Sequence, residues 1–216
     1  MPPILPASFT HSYPRLFQGE LTSSRSHKRD QVMVIRKAKE IDAASIARVV
    51  VDTWRTTYTG IVPQDYLDSL SYEKATSRWQ ERLSDMAKLW LGWFTYVAED
   101  DNDDVIGFAG GGPSQGYGLP FSGELGFIYL LKSQQRQGIG RQMAATVALR
   151  LKKQGHNSML VWVFSANPYR AFYEALGGRP VAEREIDRYG ANLAETAYGW
   201  QDLEIFEKIQ KSDLTF

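Results

Sequence analysis

The sequence predicts an α/β domain in which a central sheet is covered by helices on both faces. Three observations carry this. Residues 122–142, SGELGFIYLLKSQQRQGIGRQ, read as a strand, a glycine-punctuated loop and the start of a helix. In that strand Leu125, Phe127, Tyr129 and Leu131 fall on one face, and Gly126, Ile128 and Leu130 on the other. Both faces are largely apolar, which places the strand between two covering layers. Segments of strand character also alternate with segments of helical period along the chain. Finally, 216 residues with 43% hydrophobic and 23% charged residues suffice for one domain with a substantial core.

The elements follow in order. Val32 to Ala38 reads as the first strand. Asp42 suits the N-cap of a helix running to about Tyr58, because a short side-chain oxygen can accept from the first free N–H groups. Ile46, Val49, Val50, Thr53 and Trp54 give that helix an apolar stripe. Thr59 to Pro63 ends it. A second helical region carries Tyr66, Leu67 and Leu70, then Ala75, Trp79 and Leu83 after a break at Ser71. Leu89 to Glu99 reads as a strand rich in aromatics, and Asp100 to Asp104 as a solvated hairpin turn leading to a strand over Val105 to Gly112. Behind the central strand, Met143, Val147 and Leu151 form the apolar row of a helix over Arg141 to Gln154, closed by Gly155. Ser158 to Phe164 is a nearly continuous apolar strand. Pro168 is placed to start a helix running from Tyr169 to Leu176. Two strands, Val181 to Tyr189 and Glu195 to Glu204, close the series.

The loop Gln135-Arg136-Gln137-Gly138-Ile139-Gly140 is the chemical signal. Glycines let backbone N–H groups turn toward one point, and the first N–H groups of the following helix have no internal partner. With the helix dipole, this makes a cradle for a diphosphate. The dinucleotide fingerprint fails, because Met143 stands where its third small residue belongs. The P-loop fails too, since Arg141 and Gln142 replace its Lys-Ser/Thr. The pattern present is Gln/Arg-x-x-Gly-x-Gly/Ala. On it the chain resembles the GNAT superfamily of acyl-CoA-dependent N-acetyltransferases. YLLKSQQRQGIGRQM is similar to the central motif of that family, and residues 161–178 to its next motif. WRTTYTGIVPQDYLDSLS resembles the first two helices of many bacterial members, and YGWQDL the last strand.

The resemblance implies a mixed, mostly antiparallel sheet of six to seven strands, helices on both faces, and a splay after the central strand. It places the domain at residues 32–204. Residues 1–31, rich in proline, serine and basic residues, are then a flexible extension or a targeting arm, and 205–216 a C-terminal tail. The implied cosubstrate is acetyl-CoA, its diphosphate on the backbone of Arg136, Gln137, Gly138, Ile139, Gly140 and Arg141, with the Gln135 and Arg136 side chains assisting. Backbone groups of Leu130 and Leu131 are expected to pair with the pantetheine arm as a short extra strand. Asn167 matches an asparagine that touches the same arm, though a turn before Pro168 explains it equally.

Tyr173 matches the tyrosine assigned as general acid to the departing thiolate; a core tyrosine on the sheet is its plainer reading. Glu124, eleven residues before Gln135, stands at the spacing of the general base in histone-acetylating members; a solvated strand-initial glutamate is the alternative. Trp54 and Tyr58 belong to helices that wall the acceptor pocket in the family, or simply to the core. The implied reaction is direct acetyl transfer to an amine: a small amine, a polyamine, an amino acid or a peptide N-terminus. A non-catalytic acyl-CoA-binding module is the second reading, and transfer of a longer acyl group the third.

Composition removes other classes. Lys plus Arg and Asp plus Glu both number 25, so no basic surface points to nucleic acid. There is no cysteine, hence no disulfide, thiolate metal site or cysteine nucleophile. Three scattered histidines, His11, His27 and His156, argue against a metal centre. No apolar run is long enough to cross a bilayer, and none has the form of a signal peptide core. The expected compartment is the cytoplasm, with no membrane partner; a homodimer is left open.

Overall fold

The computed structural model describes residues 33–89 and 92–212. The N-terminal arm anticipated over residues 1–31 lies outside them. The elements are β1 (Val34–Lys37), α1 (Ala43–Thr57), α2 (Gln64–Asp68), α3 (Tyr72–Leu89), β2 (Phe94–Glu99), β3 (Val105–Pro113), β4 (Gly123–Leu130), α4 (Ile139–Lys153), β5 (Met159–Phe164), α5 (Ala171–Ala175), β6 (Arg179–Arg188), β7 (Ala191–Trp200) and α6 (Glu204–Ser212). The strands form one seven-stranded sheet in the order β1-β2-β3-β4-β5-β7-β6. Every neighbouring pair is antiparallel except β4 and β5. That parallel pair is joined through α4, because a parallel connection must cross back over the sheet. Among the described residues no helix is long and apolar enough to cross a membrane.

Alternation along the strands divides the core between two faces. Ala98, Ile106, Ala109, Leu125, Met159 and Val161 pack with Met143, Val147 and Leu151 of α4. Val97, Val105 and Phe108 pack with Ile46, Val49 and Trp79 from α1 and α3. Leu203, just before α6, and Phe206 and Ile209 within it, spaced three apart, join the α4 side. The segment expected as a tail therefore extends the domain through an apolar helical stripe.

Several local expectations change. Helix α3 continues to Leu89, so the strand expected from there starts only at Phe94. Asp42 does not cap α1 with its side chain. It accepts the Lys39 N–H at 2.7 Å and pairs with Arg36 at 2.8 Å, so it closes the short 3-10 turn before the helix and ties that turn to β1. Helix α5 begins at Ala171, later than Pro168 suggested.

The most consequential change is in β4. Gly110 faces Phe127 but Gly111 faces Leu125, so Gly126 is an extra residue, a β-bulge. The bulge flips the alternation that a regular strand would keep. Leu125 lies on the α4 face with Ile128 and Leu130, while Phe127, Tyr129 and Leu131 turn to the α1 face. Glycine is required there because a Cβ on Gly126 would stand 2.4 Å from the Trp93 ring.

Candidate active site

Strands β4 and β5 are paired over only two positions, Gly123 with Met159 and Glu124 with Leu160. Beyond the bulge β4 runs on to Leu130 along β3 alone, and β5 runs on to Phe164 along β7. The sheet is thus split, with backbone groups of β4 facing an open gap. The Leu131 N–H donates to the Ile106 carbonyl at 3.0 Å, so antiparallel alternation turns the polar groups of Tyr129 and Phe127 toward β3 and those of Leu130 and Ile128 toward the gap. Leu131 has both groups engaged, its carbonyl accepting from the Gln134 N–H at 2.9 Å. Leu131, expected to face a strand-like ligand, thus has its backbone groups engaged within the chain, and the gap-facing groups are those of Leu130 and Ile128, the latter not anticipated from sequence. The missing signal was the bulge, since register decides which groups face out.

At the end of β4 the Gln135 amide Nε2 donates to the Leu130 carbonyl at 3.2 Å and ties the loop to the strand. Arg136 and Gly138 both have left-handed backbones, with φ of 65° and 84°. Such alternation turns successive N–H groups into one concavity, the geometry of an anion nest. Gly138 precedes the first turn of α4, and a Cβ there would meet nothing within 4 Å, so its face is open to a ligand. Gly140 differs: its missing Cβ lets the Phe172 ring approach from α5, at 3.3 Å from where a Cβ would stand. Ile139 is buried in the core, while Arg136, Gln137 and Arg141 are exposed. Asn167 is buried, and its Oδ1 accepts the Tyr169 N–H at 2.9 Å. That bond fulfils the turn role.

The gap opens into a cavity of about 220 Å³ lined by both expected catalytic residues, Glu124 and Tyr173, and by Trp54 and Tyr58. Glu124 is 8% exposed. Burial pushes its carboxyl above the usual range, offset in part by the Gln115 backbone N–H and the Arg184 charge. One of its oxygens, Oε2, is buried with no hydrogen-bond partner. Tyr173 is buried too, its ring stacked on Tyr198 at 5.7 Å, and burial raises its phenol. The neighbouring Tyr129 phenol is pushed up to about 12 by burial, against a hydrogen bond from Trp54 Nε1 at 3.2 Å. Trp54 packs tilted or edge-on with Tyr58, Tyr66, Phe164 and Tyr189, so it is core and pocket wall at once.

The far wall was not anticipated from sequence. Arg184 of β6 pairs with Glu195 of β7 at 2.7 Å and lies 3.9 Å from the centre of the Trp162 ring of β5. Tyr117 meets that ring edge-on at 5.9 Å. Counting outward from the Tyr189-Gly190 turn would have put Arg184 opposite Glu195, as the register does. Their position beside Glu124 depends on the whole sheet order.

Comparison with known proteins agrees with this geometry. The family model described as FR47-like protein matches residues 117–186, from the loop before β4 into β6. The uncharacterized N-acetyltransferase YuaI of Bacillus subtilis is 39% identical over 178 residues, covering 82% of this chain and 98% of its own length. The PaiA N-acetyltransferase of Thermoplasma acidophilum, solved with coenzyme A, is similar at a TM-score of 0.60 and 21% identity, covering 76% of this chain and 97% of that one. YncA of Salmonella typhimurium, solved with acetyl-CoA, gives 0.58 and 21%, covering 78% and 93%. At that identity the two structures speak for the fold, and the YuaI match speaks for the lineage. The chain belongs to the GNAT superfamily and is an N-acetyltransferase.

Proposed function

We propose that the protein transfers the acetyl group of acetyl-CoA directly to an amine bound in the cavity between β4 and β5. The observation that carries this is the split of the sheet. It leaves the polar groups of Ile128 and Leu130 facing a gap, with the open nest of Arg136 to Gly138 at one end and Glu124 and Tyr173 in the cavity. The diphosphate rests on the N–H groups of the loop and the first turn of α4. The pantetheine arm runs along β4 as an added strand. The gap-facing N–H of Ile128 donates to the thioester oxygen as it gains charge.

The proton balance assigns the two side chains. An amine arrives as ammonium and must lose a proton before its nitrogen attacks the acetyl carbon. Glu124 takes that proton, helped by burial that raises its basicity. As the C–N bond forms, the C–S bond breaks, and the thiolate needs a proton. Tyr173 supplies it, its raised phenol holding that proton until then, and the second proton that the nitrogen sheds as the amide forms restores the phenol. The products are the N-acetylated acceptor and free CoA thiol, with no enzyme-bound acyl group, as suits a chain without cysteine.

Donor binding is tested by heat. At a ligand concentration about 100 times Kd, acetyl-CoA should add about 2.7 kcal/mol and raise Tm by roughly 5–10 °C. Gly138→Asp should remove the shift, because it forces a side chain and a negative charge onto a left-handed backbone at the open face of the nest. No shift in the unaltered protein at millimolar acetyl-CoA would overturn the reading.

A further inference from the structure

The acceptor wall of the cavity holds two unsatisfied polar atoms of opposite kind. Glu124 Oε2 is an acceptor without a donor, and Trp162 Nε1 is a donor without an acceptor. They lie on one face of the sheet. Glu124 is paired with Leu160, and Trp162 is the next side chain on that face of β5, two residues or about 6–7 Å along the strand. Buried polar atoms are nearly always partnered, so a pair left open on the lining of one cavity calls for a ligand that supplies both partners.

Charge on the same lining gives the ligand its form. Two carboxylates, Glu124 and Glu195, and two guanidinium groups, Arg184 and Arg188, line the cavity. Arg184 and Glu195 neutralise each other at 2.7 Å. Among the described residues the Arg188 side chain has neither an ion pair nor a hydrogen bond, and its charge is felt at Tyr117 on the same wall. The pairing leaves one negative group, Glu124, and one positive group, Arg188, with Trp162 Nε1–H also seeking an acceptor. A diamine would put its second ammonium toward a cation and leave the indole unanswered. A neutral amine would answer Glu124 alone.

From this complementarity we infer that the acceptor is a zwitterion, a primary amine with a carboxylate a few atoms away, as in a free amino acid. The amine faces Glu124, and the carboxylate accepts from Trp162 Nε1 and faces Arg188. The inference rests on the acetyltransfer reading above and narrows its acceptor. A cavity of about 220 Å³ suits so compact a molecule.

The test uses matched pairs: leucine with isopentylamine, phenylalanine with phenethylamine, and lysine with cadaverine. Each is assayed with acetyl-CoA by thiol release and compared per mole of free amine. The carboxylated member of a pair should show kcat/KM at least about tenfold higher, the effect of leaving a polar site unanswered in its partner. Trp162→Phe keeps an aromatic ring on that face under Arg184 but removes the donor together with the pyrrole half of the indole. It should lower kcat/KM about tenfold for the amino acid, leave the matched amine unchanged, and leave the KM for acetyl-CoA unchanged. Arg188→Gln should act in the same sense. Equal or better use of the carboxylate-free amines would overturn the inference, as would Trp162→Phe harming both members alike. If no amine is acetylated while acetyl-CoA still raises Tm, calorimetric binding of the same pairs in the presence of CoA decides. Failure of every amino acid to bind better than its matched amine then sinks the zwitterion and leaves donor binding standing.

Discussion

The two sides of β4 are built by different rules. Toward α4, Leu125 is fully buried in the apolar cluster that also holds Met143, Val147, Leu151 and Met159. One residue earlier, Glu124 is equally sequestered, but in a cavity lined by phenols, two arginines and a second glutamate, with an oxygen left unpaired. Packing on the first side has already been optimised for the folded chain. On the second, burial destabilises a charge and leaves polar atoms unanswered, costs that a structural role does not require. Two adjacent residues of similar burial therefore serve stability and chemistry separately: strand alternation puts them on opposite faces, and the bulge at Gly126 turns Phe127 and Tyr129 to the Glu124 side.

That contrast can be broken from either side. Leu125→Ala should cost about 2–5 kcal/mol of unfolding free energy, by lost transfer energy and a residual cavity. Measured by urea denaturation, this should leave the acetyl-CoA thermal shift in place and kcat/KM within about twofold at temperatures where the variant is folded. A large loss of kcat there would join the two sides that the account separates. Tyr173→Phe should do the reverse. Its ring still stacks on Tyr198, so stability should change little, while kcat falls by about 10²-fold as the proton donor is lost. Weakened CoA binding with kcat intact would make Tyr173 a binding residue.

The sequence made much of this plan visible, because local rules govern much of it. The apolar strand, the loop with Gly138 and the row Met143, Val147, Leu151 lie within 30 residues of one another, and each follows from period or backbone freedom. The bulge was hidden, because Gly126 reads as an ordinary strand position until its neighbour strand sets the register. The role of Asp42 was misread for a related reason: its capping chemistry was recognised, but its partner Arg36 lies on the preceding strand. Phe206 and Ile209 had helical spacing, yet a helix of nine residues is too short to declare itself without the core it covers. Arg184, Glu195 and Trp162 come together only because β7 inserts between β5 and β6, a choice of strand order that no local pattern encodes.

Glu124→Gln, followed for both stability and rate at pH 7.5, tests most directly whether the polar side of β4 is held for chemistry. The sign follows from the raised carboxyl. The folded state binds the Glu124 proton more tightly than the unfolded one, so the stability it contributes is present below the ordinary carboxyl range and is lost as pH rises through the folded value. Above that raised folded value the wild-type group is a buried, partly unpaired anion, and there its neutral replacement should raise Tm by about 2 °C or more. Over the same comparison kcat/KM should fall at least about tenfold, and the acidic limb of the pH–rate profile should disappear. Opposite movement of Tm and kcat/KM is the result this account predicts. A variant with lower Tm and an unchanged pH–rate profile would show Glu124 to be structural and would contradict it.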